Sequence, residues 1–457
     1  MEQEKWLRWE RASSITPLFI PFEAGKRKMA GYFGSAWPKT VLIYTGQNVV
    51  WRNRWSDLYN LGQKLISFFS KKGQEKKYWA DWQKETKKLE RGFEEVEKAD
   101  LRKLSDKDLI SLFNKFVEVY KSWWKYGWAS TPIALQAERL LTKQGLNEKD
   151  FNYLLAPPQK SFAAEIEEDL ANIGAVAKKE GLRSSRTREK IKHHTSNYFW
   201  KRNNYLETTV LTEKEIKLEI KQLLKTPQVK VMNTPAVSLE SLKEETKSLA
   251  NLLSNFAYYK DYRKKYQMIA GYYLDKLLME VGQRAELSIE EMRYVLPIEV
   301  GDVLEKKISK KEIKNRQDSC LIIYGRKVEV YTGSKAKEKE TEIFGRANFT
   351  NLSEIRGWGA SLGLVQGKAR VIMDPKDARL IKKGEILITA MTSPDFIIAM
   401  KKSAAVVTDW GGITSHAAIV SRELGIPCIV GTNITTKVFK DGDRIEVNAF
   451  DGIVRKV

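Results

Sequence analysis

The chain has 457 residues, 42% of them hydrophobic and 30% charged, enough apolar content for packed cores and for about three domains of ~150 residues each, which excludes wholesale disorder. Its 79 Lys and Arg against 58 Asp and Glu leave a net charge of +21, a field that favours anionic partners without naming one. Two cysteines, Cys320 and Cys428, are too few for a disulfide framework or a four-thiolate metal site. The start Met1-Glu2-Gln3-Glu4-Lys5 lacks the layout of a signal peptide, and no apolar run approaches the ~20 residues of a membrane-spanning helix. A cytoplasmic location without a membrane partner is expected.

In chain order, the first predicted element is a hairpin over Thr40 to Trp51, where two apolar runs flank Thr45-Gly46-Gln47-Asn48. Helices dominate after it. Ser105 reads as an N-cap before Leu109, Leu112, Phe113, Phe116 and Tyr120, whose spacing lines one helix face. Thr212 with Glu215 and Ser288 with Glu291 read as capping boxes. Leu249 to Val281 carries Phe256, Tyr266, Ala270, Tyr273 and Leu277 near helical spacing, which predicts a long amphipathic helix. Cys320 to Tyr331 reads as two strands around Gly325-Arg326, and the charged stretch at roughly 333–342 as a hinge or linker.

Beyond residue 355 the pattern changes to short β-branched runs punctuated by glycine: Lys368 to Met373, Ile386 to Thr389, Ala405 to Thr408, Cys428 to Val430 and Arg444 to Val447. This predicts an α/β module. The expected organisation is a multidomain α + α/β chain. A mainly helical domain spans 1–300 and holds an acceptor or docks a partner; a connecting segment with short strands and a charged linker spans 301–355; the α/β module spans 356–457. Most of the basic excess lies upstream of that module.

The segment that carries chemistry is Thr408-Asp409-Trp410-Gly411-Gly412-Ile413-Thr414-Ser415-His416-Ala417-Ala418-Ile419-Val420-Ser421-Arg422-Glu423-Leu424-Gly425-Ile426-Pro427. A buried strand ends at Thr408, Gly411 and Gly412 permit a tight turn, Thr414 or Ser415 caps a helix, and Gly425 with Pro427 stops it. His416 then stands in the first turn, where free N–H groups and the positive helix end favour a nearby anion such as a phosphoryl group. Neutral imidazole, with an ordinary pKa near 6.5, is available as a nucleophile at about pH 7. A phosphohistidine is chemically sensible there, with a hydroxyl of Thr414 or Ser415 orienting the ring, contacting phosphoryl oxygens, or serving only as a cap.

Other candidates read as structural. Adjacent His193 and His194 point about 100° apart on a helix, and no carboxylate or cysteine completes a ligand set; no metal site is assigned. Trp123, Trp124, Tyr126 and Trp128 suit helix packing better than a pocket for a flat acceptor.

The histidine segment closely resembles the phosphohistidine signature of the phosphoenolpyruvate-utilising enzymes: phosphoenolpyruvate synthase, pyruvate phosphate dikinase and the rifampicin phosphotransferases. Further points of likeness are Gly384-Glu385-Ile386-Leu387-Ile388-Thr389, Thr392-Ser393-Pro394-Asp395 and Pro427-Cys428-Ile429-Val430-Gly431-Thr432. Leu362 and Asn448 depart from that pattern, where proline and aspartate are usual. The resemblance implies a β/β/α swivelling domain in which His416 takes a phosphoryl group from ATP, released as AMP and phosphate, and delivers it to an acceptor. Gly411, Gly412, Thr414 and Ser415 would support that site. Thr414 also matches a threonine modified by regulatory kinases in some relatives, although a cap is the preferred reading.

Upstream, weaker likeness to the helical middle region of such proteins rests on His193 to Trp200, Lys260-Asp261-Tyr262-Arg263, and Leu287 to Met292 leading to Pro297-Ile298-Glu299. No glycine-rich phosphate loop is found, and too few residues follow His416 for a barrel of typically ~250 residues. ATP and Mg²⁺ are therefore expected on a separate ATP-grasp partner, with no cofactor bound directly by this chain and with a small-molecule acceptor of unknown identity. The competing reading is a basic nucleic-acid-binding protein or a non-catalytic scaffold that reuses the swivel; a nucleic-acid partner is disfavoured because no recognised motif supports it.

Overall fold

The computed structural model describes residues 6–144, 159–224, 243–345, 354–392, 394–412, 415–432 and 434–457. The chain divides into two compact units, one from Arg11 to Lys339 with residues up to Leu7, the other from Glu340 to Val457 with Arg8–Glu10.

The first unit is a helical body with one sheet. The sheet has the order β1-β3-β2-β4-β5, from β1 (Trp6–Ala12), β2 (Thr40–Thr45), β3 (Asn48–Arg54), β4 (Cys320–Tyr324) and β5 (Val328–Thr332). The Gly46 turn (φ 57°) joins β2 to β3 as an antiparallel hairpin with Thr45 opposite Asn48, as the sequence predicts. β2 also pairs antiparallel with β4, Leu42 opposite Ile322. Residues 320–332, placed by sequence in a connecting segment, are thus part of this sheet, and the fully buried run Cys320–Tyr324 shows why: its apolar faces need cover on both sides.

The helices follow the predicted signals. Ser105 accepts from the Asp108 N–H to start Asp106–Gly127, both capping boxes form, and the long amphipathic helix runs from Glu244 to Arg284. Trp123, Trp124, Tyr126 and Trp128 are buried. Trp82, Trp123 and Tyr126 belong to one aromatic cluster, with Trp123 Nε1 donating to Thr86 Oγ1 at 2.9 Å and Trp128 Nε1 to the Pro21 carbonyl at 2.6 Å. These rings are core: the indole N–H groups of Trp123 and Trp128 are satisfied, whereas Trp82 Nε1 and Trp124 Nε1 are buried without a hydrogen-bond partner among the described residues. His194 is fully buried against Asp169, Nδ1 to Oδ2 2.6 Å, whereas His193 is exposed beside Asn197.

The stretch expected to be a linker at 333–342 is a helix, Gly333–Phe344. Gly333 leaves β5 with φ 59° and Gly345 ends the helix with φ 74°, its N–H reaching the Thr341 carbonyl at 2.8 Å. Lys, Glu and Ala are strong helix formers whatever their hydrophobic pattern, and one buried face residue, Ala336, suffices to seat the helix.

The second unit is built on an eight-stranded sheet of order β6-β13-β12-β8-β9-β10-β11-β7. β8 (Leu364–Val371), β9 (Ile386–Thr389), β10 (Ala405–Thr408) and β11 (Cys428–Val430) run parallel at its centre. β6 (Glu354–Arg356), β7 (Trp358–Ser361), β12 (Arg444–Asn448) and β13 (Ile453–Lys456) extend it by antiparallel pairing. One face packs Leu387, Val406, Cys428 and Val430 against Ala417 and Ala418; the other packs Ile386, Ile388, Val407 and Ile429 with Ile445, Val447 and Val454. Alternate residues of β9, β10 and β11 therefore serve two cores, which is why those strands read as continuous apolar runs. Asn448 holds the turn between β12 and β13 by accepting from the Phe450 N–H at 3.1 Å and donating to Asp451 Oδ2 at 2.8 Å. Both cysteines are buried, and neither forms a disulfide among the described residues.

Candidate active site

The parallel pairing of β9 with β10 brings the loops after both strands to one edge of the sheet, the place where open α/β sheets present their chemistry. Asp409, just past β10, is buried and anchors the loop. Its Oδ1 accepts from Thr432 Oγ1 at 3.0 Å and Thr435 Oγ1 at 2.5 Å, and its Oδ2 from the Thr436 hydroxyl. The Trp410 N–H donates to the Ala390 carbonyl at 2.9 Å, tying the two loops together.

The chain then turns at Gly411, whose φ of 113° is inaccessible to residues with a Cβ at ordinary cost. A Cβ there would also lie 2.8 Å from Ser415 Oγ and 2.9 Å from its Cβ. Gly412 has neither constraint, and its carbonyl accepts from the Ser415 N–H at 2.9 Å. Ser415 is the N-cap of the helix His416–Leu424, its hydroxyl accepting from the Ala418 N–H at 3.4 Å, and Gly425 ends that helix with φ 66°. Of the two capping residues left open by the sequence, Ser415 takes the role; Thr414 lies outside the described residues.

His416 is the first residue of this helix. Ala417 and Ala418 press the helix onto the sheet, leaving the imidazole partly exposed at its edge. Nδ1 lies 2.8 Å from Thr392 Oγ1, a hydroxyl delivered by the loop after β9. No described residue forms a hydrogen bond to Nε2. Partial burial lowers the pKa of the ring below its ordinary value, opposed by the charge of Glu423, so the neutral form prevails at neutral pH. One ring nitrogen oriented by a hydroxyl, the other without a hydrogen bond among the described residues, at the positive end of a helix, is the arrangement a nucleophile needs. Met391, next to Thr392 in the chain, and Ile419, three residues after His416 in the helix, are exposed.

Gly411, Gly412, Ser415 and His416 lie together at the start of this helix. Thr392 and Asp409 stand within the sequence motifs without a signal for their roles beyond a hydroxyl in the Thr392-Ser393-Pro394-Asp395 loop; strand order is what shows that this hydroxyl reaches His416. Among the described residues no group of three or more His, Cys, Asp or Glu side chains could hold a metal ion, and no helix is long and apolar enough to cross a membrane.

The segment that holds this sheet edge, helix and histidine, residues 381–452, matches the PEP-utilising enzyme, mobile domain. A probable phosphoenolpyruvate synthase of Staphylothermus marinus is 49% identical over 146 residues, 30% of this chain and 17% of that protein. Its counterpart in Archaeoglobus fulgidus is 41% identical over 182 residues, 38% of this chain and 23% of that one. The rifampicin phosphotransferase of Bacillus cereus is 34% identical over 224 residues, 47% of this chain and 25% of that enzyme. Residues 381–452 therefore carry a PEP-utilising enzyme mobile domain, and the chain's matches span a quarter or less of the length of these relatives.

Proposed function

We propose that this chain is a phosphotransferase component in which His416 carries a phosphoryl group from a donor to an acceptor. The observation that carries the reading is the imidazole at the helix start, neutral, partly exposed, with Nδ1 engaged by Thr392 and Nε2 open.

For Nε2 to attack, its lone pair must be free, so Nδ1 holds the proton and donates it to Thr392 Oγ1. Nε2 attacks phosphorus, the P–N bond forms, and the P–O bond to the leaving group breaks with its electron pair departing on oxygen. The N–H groups of the first helical turn and Ser415 stabilise the charge on the equatorial oxygens. In the second half-reaction an acceptor oxygen attacks the same phosphorus and the P–N electron pair returns to Nε2; the acceptor's proton leaves to solvent or a base on the acceptor side.

ATP with Mg²⁺ would be supplied by an ATP-grasp partner, and the first unit would hold or dock the acceptor. These roles extend what the names of the relatives suggest. The test incubates the full chain with labelled ATP, Mg²⁺ and a candidate ATP-grasp protein, followed by phosphate mapping under alkaline conditions. Acid-labile label on His416, lost in His416→Ala, is the expected result. Label that persists in the variant, or that is absent with every donor including phosphoenolpyruvate, overturns the proposal.

A further inference from the structure

The helix Ser185–Asn197 of the first unit carries positive charge that its surroundings leave almost unpaired. Residues 178–192 hold seven Lys or Arg against two Glu. Arg188 and Lys192 stand four residues apart on one flank of the helix, and Arg186 and Lys190 four apart on the other, so the Cβ atoms within each pair are about 5–6 Å apart. Lys178, Lys179 and Arg183 precede them and are exposed, as are Arg188 and Lys192. Arg186 reaches Glu180 at 3.0 Å; none of the other six forms an ion pair among the described residues. Glu189 is the one carboxylate on the helix.

The scaffold fixes this surface in place. Thr187, Ile191 and His194 are buried at the spacing of one helix face, and Ile191 packs with Ile173 and Ala177 of the helix Phe162–Glu180. Ser184 caps the helix by accepting from the Thr187 N–H at 3.1 Å, and Thr187 Oγ1 donates to the Gly181 carbonyl at 3.0 Å. The cations are thereby held on the solvent side. Like charges four apart disfavour a helix, and surfaces built for solubility intersperse both signs. The helix Gln74–Lys98 does so, pairing Lys77, Lys88 and Lys98 with Asp81, Glu85 and Glu94.

What the surface lacks narrows the partner. No large apolar side chain among residues 178–197 is exposed, so it offers neither the apolar anchors of a protein interface nor the apolar face of a helix lying in a membrane. The same stretch holds no Phe, Tyr or Trp on which an unpaired base could stack. Charge alone suffices for a phosphodiester backbone, because phosphate contacts supply essentially all of sequence-independent binding. The guanidinium forks of Arg183 and Arg188 match phosphate oxygens, and backbone contacts of this kind need no sequence-reading motif.

We propose that this face of the first unit, centred on Arg183, Arg188 and Lys192, binds the phosphate backbone of a nucleic-acid duplex without base preference. This goes beyond the phosphoryl chemistry of His416 and is independent of it, because binding is read without any transfer step.

The experiment follows the fluorescence anisotropy of end-labelled DNA and RNA duplexes of about 20 base pairs, titrated with the full chain between about 50 and 200 mM KCl. Saturable binding is expected, with log K falling linearly against log salt. The double variant Arg188→Gln, Lys192→Gln should bind about tenfold or more weakly at the low-salt end, with a salt slope shallower by about two. Glu189→Gln removes the one opposing charge on the helix and should tighten binding, a gain that loss of folding does not produce. The control Lys88→Gln, Lys98→Gln removes the same charge from exposed, ion-paired positions and should leave affinity within about twofold of wild type. Tighter binding of the RNA duplex assigns RNA and of the DNA duplex DNA; either supports the surface. Absence of saturable binding, an equal loss in the control, or tighter binding to poly-L-glutamate or to phosphatidylserine vesicles than to either duplex overturns the proposal.

Discussion

Replacing Gly411 by alanine tests how the histidine is positioned. At φ 113° a residue with a Cβ is strained by about 1–3 kcal/mol. The new methyl would stand 2.8 and 2.9 Å from Ser415 Oγ and Cβ, well inside van der Waals contact, so Ser415 must move. Its cap on the helix His416–Leu424, in the range of about 0.5–2 kcal/mol, is then weakened. Loss of glycine's freedom in the unfolded chain returns about 0.4–1 kcal/mol. The net expectation is a local destabilisation of about 2–3 kcal/mol, which raises the opening equilibrium of this helix about 30- to 150-fold. Amide hydrogen exchange, read by mass spectrometry on peptides covering 408–424, measures this directly without assuming that two units unfold together. Gly412→Ala is the matched control, since a Cβ there meets nothing within 4 Å and φ is unexceptional. Equal exchange in Gly411→Ala and wild type, or the same loss in both variants, would refute the reasoning.

Thr392→Val removes the hydroxyl that orients Nδ1; phosphorylation of His416 should slow about 3- to 10-fold, as for loss of one hydrogen bond, with exchange in 408–424 unchanged, and an unaltered rate would remove Thr392 from the site. Because burial lowers the His416 pKa, the neutral nucleophile persists on mild acidification; the rate of phosphorylation should be flat from pH 8 to about 6.5 and fall only below it, and a fall centred above that value contradicts the assignment. Asp409→Ala strips the shared acceptor from Thr432, Thr435 and Thr436 and should destabilise the second unit by about 3 kcal/mol, visible as a lower midpoint in urea unfolding; an unchanged midpoint would mean that water replaces the carboxylate at no cost. For His194, burial acts first to lower the pKa and Asp169 opposes it; the folded state then resists protonation, so its contribution to stability is present above the unfolded value of about 6.5 and is lost as pH falls toward the lower folded value. His194→Gln should flatten that acid limb of the stability profile, and an identical profile would assign the limb to other groups.

Much of the second unit was legible before folding was considered. Five of its strands and the helix His416–Leu424 follow from β-branched runs and from Gly411, Ser415 and Gly425, because turn, cap and stop are local choices of backbone conformation made within a few residues. The position of His416 at the start of that helix follows from the same local rules. The helix Gly333–Phe344 was missed for the converse reason: its stability comes from intrinsic propensity and one buried alanine rather than from an apolar stripe that periodicity can detect.

What the amino-acid order alone determined is therefore the chemistry on offer, an imidazole in a first helical turn behind a glycine pair, and the hydrophobic runs that become strands. Tertiary structure decided which neighbours that chemistry meets. Thr392 reaches Nδ1 only because β9 and β10 lie side by side and parallel, and Asp409 is satisfied only because the chain returns through Thr432 to Thr436. In the first unit, β2 finds β4 across more than half the chain, and Arg11 meets Tyr205 from a distant strand. Such contacts are set by packing whole elements together, and pairing at long sequence separation leaves no local trace for periodicity or capping to reveal.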